Sequence, residues 1–300
     1  MGSACTLTLE GTAGEDGDAT PALAPLLART EALLSHAVPD SAIARLNGAG
    51  SVTADDRLLA ALRLCEELKA KTDGRFSLSV LPITSLWNFN AEHPAPPSED
   101  AITAALAASR DSALFFDGDT VSRTGGTLDL GAVGKGYACD VLADALRERA
   151  ETGLVAVGGS FAAVGTKAGR AWRIGVRDPF SESPTATLGT LLLSDACVST
   201  SGSYEKTFTY EGVAYHHILD PKTGRPAESD LLSVTVVCES GTLSDALSTA
   251  CFLVGANAAF SLAAEYGALL VAVKTDGTLL VSESLREDFS PARGWEAVYR

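Results

Sequence analysis

TLDLGAVGKGYACD, residues 127–140, is the stretch whose reading decides the fold. Leu128, Asp129 and Leu130 read as the end of a short strand. Gly131, Gly134 and Gly136 break the chain where it turns. Residues 137–149 then keep helical periodicity, with Tyr137, Val141, Leu142, Ala145 and Leu146 on one face. Strand, glycine turn, helix aims backbone N–H groups at an anion near the positive end of a helix. Lys135 stands inside the turn, where its ammonium can meet the same phosphate. The spacing is neither GxxxxGK[ST] nor GxGxxG. A plain glycine-rich connection in an α/β layer is the other reading of the segment.

Outward from this stretch, strands and helices alternate irregularly. Upstream, residues 4–9 alternate as a strand, residues 15–18 form a polar turn, and residues 19–35 carry a helical stripe. Residues 40–46 read as a short helix ended by Asn47-Gly48. Thr53 is placed to cap a helix over 54–71, and Ser98 one over 99–108. Residues 81–90 are aromatic, with Trp87 and Phe89, and a Pro-rich surface loop follows. Residues 114–116 and 120–123 form a hairpin across Asp117-Gly118. Downstream come strands near 154–157, 161–164, 172–176, 191–193 and 197–200, then a hairpin over 205–218 and a strand over 233–237. Helices over 243–254 and 258–266 and a last hairpin over 269–281 follow. Strands scattered among helices make this a mixed α+β chain with a β-sheet core and packed helices, not a βαβ series.

The 300 residues suffice for one large domain or two fused lobes. A formal net charge of -15 argues against a nucleic-acid backbone as partner, though not against a nucleotide. No run of 18 apolar residues occurs, so no transmembrane segment is expected. The six cysteines contain no CxxC pair and mostly sit among apolar neighbours, so buried free thiols are expected.

Four groups of residues could carry chemistry. Asp245 and Thr249 lie four apart in a helix and share a face, which suits a hard cation such as Mg²⁺. Backbone carbonyls of a glycine turn can add ligands; the other reading is that Asp245 supports a helix N-terminus. His216 and His217 are adjacent, so in a strand they point to opposite faces. One is then a base or phosphate contact, with Asp220 and Lys222 just beyond; a satisfied structural pair is the alternative. Asp73 before Gly74 serves a ligand or starts a turn. Ser199, Thr200 and Ser201 offer hydroxyls without a GxSxG elbow.

Read together, the segments resemble the ApbE family, the FAD:protein FMN transferases. The matching pieces are MGS at 1–3, SAIARLN at 41–47, TDGRF at 72–76, LDLGAVGKGYACD at 128–140 and VGGS at 157–160. STSGSY at 199–204, HHILDPKTGRP at 216–226 and SDALST at 244–249 complete the set. Departures are GAVGKG for the family's usual GGIAKG, Ser160 for Asn, Ala42 for an acidic residue, and MGS for MGT.

The resemblance implies one ApbE-like domain, with two lobes the other arrangement. It implies FAD as substrate and a Mg²⁺-assisted transfer of its FMN half to a threonine or serine hydroxyl of an acceptor flavoprotein in a redox system, with AMP leaving. Hydrolysis of FAD to FMN and AMP is the first alternative, and flavin binding without catalysis the second. By the same resemblance Asp245, Thr249 and the Gly134 carbonyl hold the metal. Met1, Asp73, Lys135, Tyr204 and His217 contact the flavin nucleotide, and His217 and Asp245 carry catalysis. It further implies an extracytoplasmic protein, tethered at the cytoplasmic membrane through an upstream leader; a cytoplasmic protein is the alternative.

Overall fold

The computed structural model describes residues 4–10, 20–110, 112–149 and 152–300. Met1 and the turn expected at 15–18 lie outside the described residues. The fold is a mixed α+β fold with a β-sheet core and packed helices. The chain divides into two compact units, each built from discontinuous segments.

The first unit comprises residues 1–30, 133–201 and 230–300. Its centre is an eight-stranded sheet in the order Cys5–Glu10, Thr152–Val157, Ser160–Val164, Cys197–Gly202, Leu231–Cys238, Leu269–Lys274, Leu279–Val281, Ala297–Tyr299. Most neighbours run antiparallel; Leu279–Val281 and Ala297–Tyr299 run parallel. Residues alternate between the two sides of each strand, and both sides are apolar here. On one side Val271, Val273, Leu279 and Val281 pack with Trp172, Ile174, Val176, Leu188 and Leu191. Those last residues belong to a three-stranded sheet of Trp172–Arg177, Thr187–Leu193 and Phe289–Pro291. On the other side Val155, Val157, Ala162 and Val164 meet Leu142 and Leu146 of the Gly134–Glu148 helix and Leu23 of the Thr20–Leu34 helix. A sheet buried on both faces explains why several strands read as continuous apolar runs. The Gly241–Val254 helix is buried along nearly its whole length.

The second unit comprises residues 31–132 and 202–229. It holds the helices Ala42–Ala49, Asp56–Lys71, Leu81–Trp87 and Glu99–Ser109, a three-stranded sheet, and the hairpin Thr207–Tyr210 with Val213–His216. Its core gathers Ile83, Trp87, Ile102, Phe208 and Leu219. Trp87 stacks on Phe89 at 5.9 Å between centroids, and its indole N–H donates to Gly224 O at 2.7 Å.

Several expectations are corrected. Residues 128–130 are not a strand: Leu128 exchanges both backbone bonds with the Asn47 side chain, at 2.7 and 2.9 Å, so no partner strand is needed. The helix expected from 137 starts at Gly134, so Lys135 and Gly136 are helical. None of Gly131, Gly134 and Gly136 has a left-handed φ. Asn47-Gly48 lies inside the Ala42–Ala49 helix, which closes on left-handed Gly50 instead. Asp55, not Thr53, caps the next helix, accepting from Leu58 N at 2.8 Å. The aromatic segment contains the Leu81–Trp87 helix, which its short length and Pro82 hide from periodicity. Among the described residues all six cysteines are free; four are buried, Cys238 is half-buried and Cys5 is exposed at the strand edge. Burial pushes the Cys238 and Cys251 thiols up to about 12.

Candidate active site

The Gly134–Glu148 helix begins where Val133, an apolar residue, occupies the capping position and offers its amides no acceptor. Asp245 supplies one from the neighbouring Gly241–Val254 helix. Its Oδ2 accepts from Lys135 N at 3.1 Å and from Gly136 N at 3.0 Å. Its Oδ1 faces Lys135 Nζ at 2.9 Å. Asp245 is 1% exposed, and a charge buried to that degree needs partners such as these. The expectation that Asp245 supports a helix N-terminus is thus met on the neighbouring helix rather than its own.

The close approach that permits this contact depends on glycine. A Cβ on Gly136 would lie 1.9 Å from Gly241 O, and one on Gly241 would lie 2.4 Å from Gly136 O. Any side chain at either position would separate the two helices.

Hydroxyls seat the Gly241–Val254 helix on the sheet. Ser199 Oγ lies 2.9 Å from Ser244 Oγ and 2.9 Å from Ser160 Oγ. Ser201 Oγ lies 2.8 Å from Ser248 Oγ and 3.1 Å from Thr249 Oγ1. The pairs match in spacing: two strand residues advance about 6.6 Å, and four helix residues about 6 Å. Thr200, between them, points to Thr235 at 2.8 Å.

Gly134 and Lys135 open one helix of the first unit, Asp245 of the neighbouring helix meets Lys135, and Thr249 lies one turn beyond Asp245, bonded to Ser201. The donor atoms are a carboxylate, hydroxyls and a backbone carbonyl. All are hard oxygens, and the one buried carboxylate already faces a cation, the Lys135 ammonium. This donor set fits Mg²⁺. Among the described residues no three His, Cys, Asp or Glu side chains form a metal-holding group. A set with a single carboxylate has no such cluster to offer.

Asp73, Tyr204 and His217 belong to the second unit. Asp73 has a left-handed φ of 51° and an exposed carboxylate that pairs with Lys222. That pairing holds the Asp73 carboxyl below its usual range. A non-glycine residue in this conformation is uncommon and is often tied to function. Nearby, Arg75 Nη1 lies 3.4 Å from Asp220 Oδ2, and Asp220 Oδ1 accepts from Lys222 N at 2.8 Å. TDGRF and DPKTG are thereby brought side by side. The Tyr204 ring packs where a Cβ on Gly202 would be, 2.6 Å from its nearest ring atom.

The strand carrying the histidines ends at His216, so alternation does not govern His217, which sits at a bend. The rings still take separate partners. His216 Nε2 donates to Ala227 O at 3.2 Å, and burial lowers its pKa. His217 Nδ1 donates to Glu205 O at 2.9 Å, which leaves the lone pair of the neutral ring on Nε2.

Asp140 and Ser201 escaped sequence reasoning as parts of this site. Ser201 was visible only as one hydroxyl in a run. The signal for Asp140 is a repeated spacing, Gly136-x-x-x-Asp140 and Gly241-x-x-x-Asp245.

Comparisons with known proteins bear on the family and the fold. The sequence model of the ApbE family matches residues 1–272. A FAD:protein FMN transferase of Treponema pallidum (strain Nichols) is 34% identical over 263 residues, covering 80% of this chain and 72% of that protein. A FAD:protein FMN transferase of Klebsiella pneumoniae (strain 342) is 31% identical over 277 residues, covering 89% and 85%. The crystal structure of the ApbE protein from Thermotoga maritima MSB8 superposes with a TM-score of 0.80 at 29% identity, over 96% of each chain.

Proposed function

This chain belongs to the ApbE family, and on that premise we propose that it is a FAD:protein FMN transferase whose acceptor is a threonine or serine hydroxyl of a partner flavoprotein. The observation that carries the reading is the Lys135–Asp245 pair at the start of the Gly134–Glu148 helix, with the Thr249 and Ser201 hydroxyls one turn further along. The acceptor oxygen attacks the phosphorus of the FMN half. A new P–O bond forms, the bond to the AMP phosphate breaks, and AMP leaves with the bridging oxygen. The hydroxyl proton goes to His217 Nε2, the basic atom of the tautomer fixed by Glu205 O.

Lys135, whose ammonium faces Asp245 Oδ1, is assigned to a pyrophosphate oxygen, which its charge would stabilise. Asp73 and Tyr204 are assigned to the flavin nucleotide. Asp245, Thr249 and the Gly134 carbonyl would hold Mg²⁺, which when bound would neutralise charge on the pyrophosphate. An extracytoplasmic location belongs to the same proposal and is checked by fractionating cells that express the full open reading frame.

Incubation with FAD and an acceptor domain, followed by intact mass of the acceptor, tests the reading. An FMN adduct with stoichiometric AMP is the expected result. FMN and AMP without adduct would make the protein a FAD pyrophosphatase, and intact FAD would make it a flavin carrier.

A further inference from the structure

The repeated Gly-x-x-x-Asp spacing places a glycine and an aspartate on one face of each helix, one turn apart. The glycines set the two helix starts against each other, and each aspartate then reaches the first turn of the other helix. Asp245 takes the Lys135 and Gly136 amides. Asp140 takes the Gly241 amide on Oδ1 at 2.6 Å and the Thr242 amide on Oδ2 at 2.8 Å. Its Oδ2 also accepts from Thr242 Oγ1 at 2.6 Å and Ser240 Oγ at 3.1 Å, and Cys197 Sγ lies 3.9 Å from Oδ1.

First-turn amides have no partner inside their own helix. Here two helices exchange carboxylates to satisfy them, and each negative charge sits at the positive end of the opposite dipole. The exchange is reciprocal. A slide or rotation of one helix against the other breaks both caps at once.

We infer that Asp140 is a positioning residue for the Asp245 site: by fixing the start of the Gly241–Val254 helix against the Gly134–Glu148 helix, it sets where the Asp245 carboxylate stands relative to Lys135. The inference rests on the assignment of Asp245 to the functional centre. Asp140 acts through residues 240–242. In the full-length protein, Asp140→Asn keeps the size of the side chain and removes its charge.

Residue-resolved hydrogen exchange is the test. In Asp140→Asn the Lys135 and Gly136 amides, which Asp140 does not touch, should exchange about tenfold faster or more. The half-saturating Mg²⁺ concentration, read from tryptophan fluorescence without FAD, should rise about tenfold, as for loss of a group that orients a metal ligand. Thr242→Val removes one donor to Asp140 and should move both readouts the same way by less, which keeps the test open should Asp140→Asn fail to fold. Asp55→Ala, which removes the cap of the Asp56–Lys71 helix, should change neither. Faster exchange confined to residues 241 and 242, with unchanged Mg²⁺ titration, would reduce Asp140 to a local cap and overturn the inference. Asp245→Asn titrating like the wild type would remove the metal assignment instead, and the exchange at Lys135 and Gly136 would then decide the positioning role alone.

Discussion

At Asp245, Oδ2 accepts two amides of another helix while Oδ1 faces the Lys135 ammonium, so substitutions separate structure from chemistry. Asp245→Ala removes the acceptor of two helix-start amides and should cost about 1–3 kcal/mol in urea unfolding. Asp245→Asn keeps an acceptor oxygen and should cost less, yet transfer should fall about 100-fold or more because the charge is gone. Equal transfer by Asp245→Asn and wild type would remove the residue from the mechanism. The two histidines should behave differently. His217→Ala should keep FAD binding, measured by flavin fluorescence, while transfer falls about 10²–10⁴-fold and recovers partly at higher pH. A parallel loss of binding at every pH would make His217 a phosphate contact instead. His216 is a stability group. Burial lowers its pKa below the ordinary 6.5, so below that value the unfolded chain binds the extra proton first. Its contribution is present above pH 6.5 and is lost as pH falls through the lowered folded value. His216→Phe should therefore flatten the loss of Tm between neutral and mildly acidic pH.

At the scale of elements, two packed helices and one strand make the site. Gly136→Ala would put a methyl group 1.9 Å from Gly241 O, a backbone atom that cannot swing aside. The helices must part, at a cost of about 1–3 kcal/mol or more. Transfer should fall with stability, and a fully active, fully stable Gly136→Ala protein would refute the close crossing. Ser201→Ala removes a hydroxyl bonded to both Ser248 and Thr249, and should cost about 1 kcal/mol in chemical denaturation. These elements were unequally legible. The Gly241–Val254 helix is marked by its apolar positions, and its Asp245/Thr249 spacing shows one shared face. The start of the Gly134–Glu148 helix was hidden. Glycines weaken a helix, and the carboxylate that holds this one lies more than a hundred residues away in sequence.

For the whole molecule, binding at the Asp245 site should feed back on global stability. Mg²⁺ at about one hundred times its dissociation constant stabilises by about 2.7 kcal/mol, a rise in Tm of about 4 °C for a chain this size. The rise should be absent in Asp245→Asn; calorimetry of both proteins checks it, and equal shifts would place the cation elsewhere. The net charge of -15 attracts divalent cations diffusely, which makes the variant the necessary control.

Most of the local order of strands and helices, the mixed α+β class and the set of ApbE motifs follow from the sequence alone. Periodicity and capping residues are short-range signals, and Ser98 caps where its own helix begins. Local chemistry also put Asp245 and Thr249 on one face. Tertiary structure alone decided what those residues meet. Residues 31–132 and 202–229 join in one unit, so TDGRF lies beside DPKTG through long-range contacts that no window of sequence contains. Gly136 reads as a turn residue locally. It is a helix residue because Gly241 O approaches within the space of a missing Cβ, and because Asp140 and Asp245 exchange caps across that crossing. A carboxylate finds its partner by distance in space, and only the packed helices fix that distance.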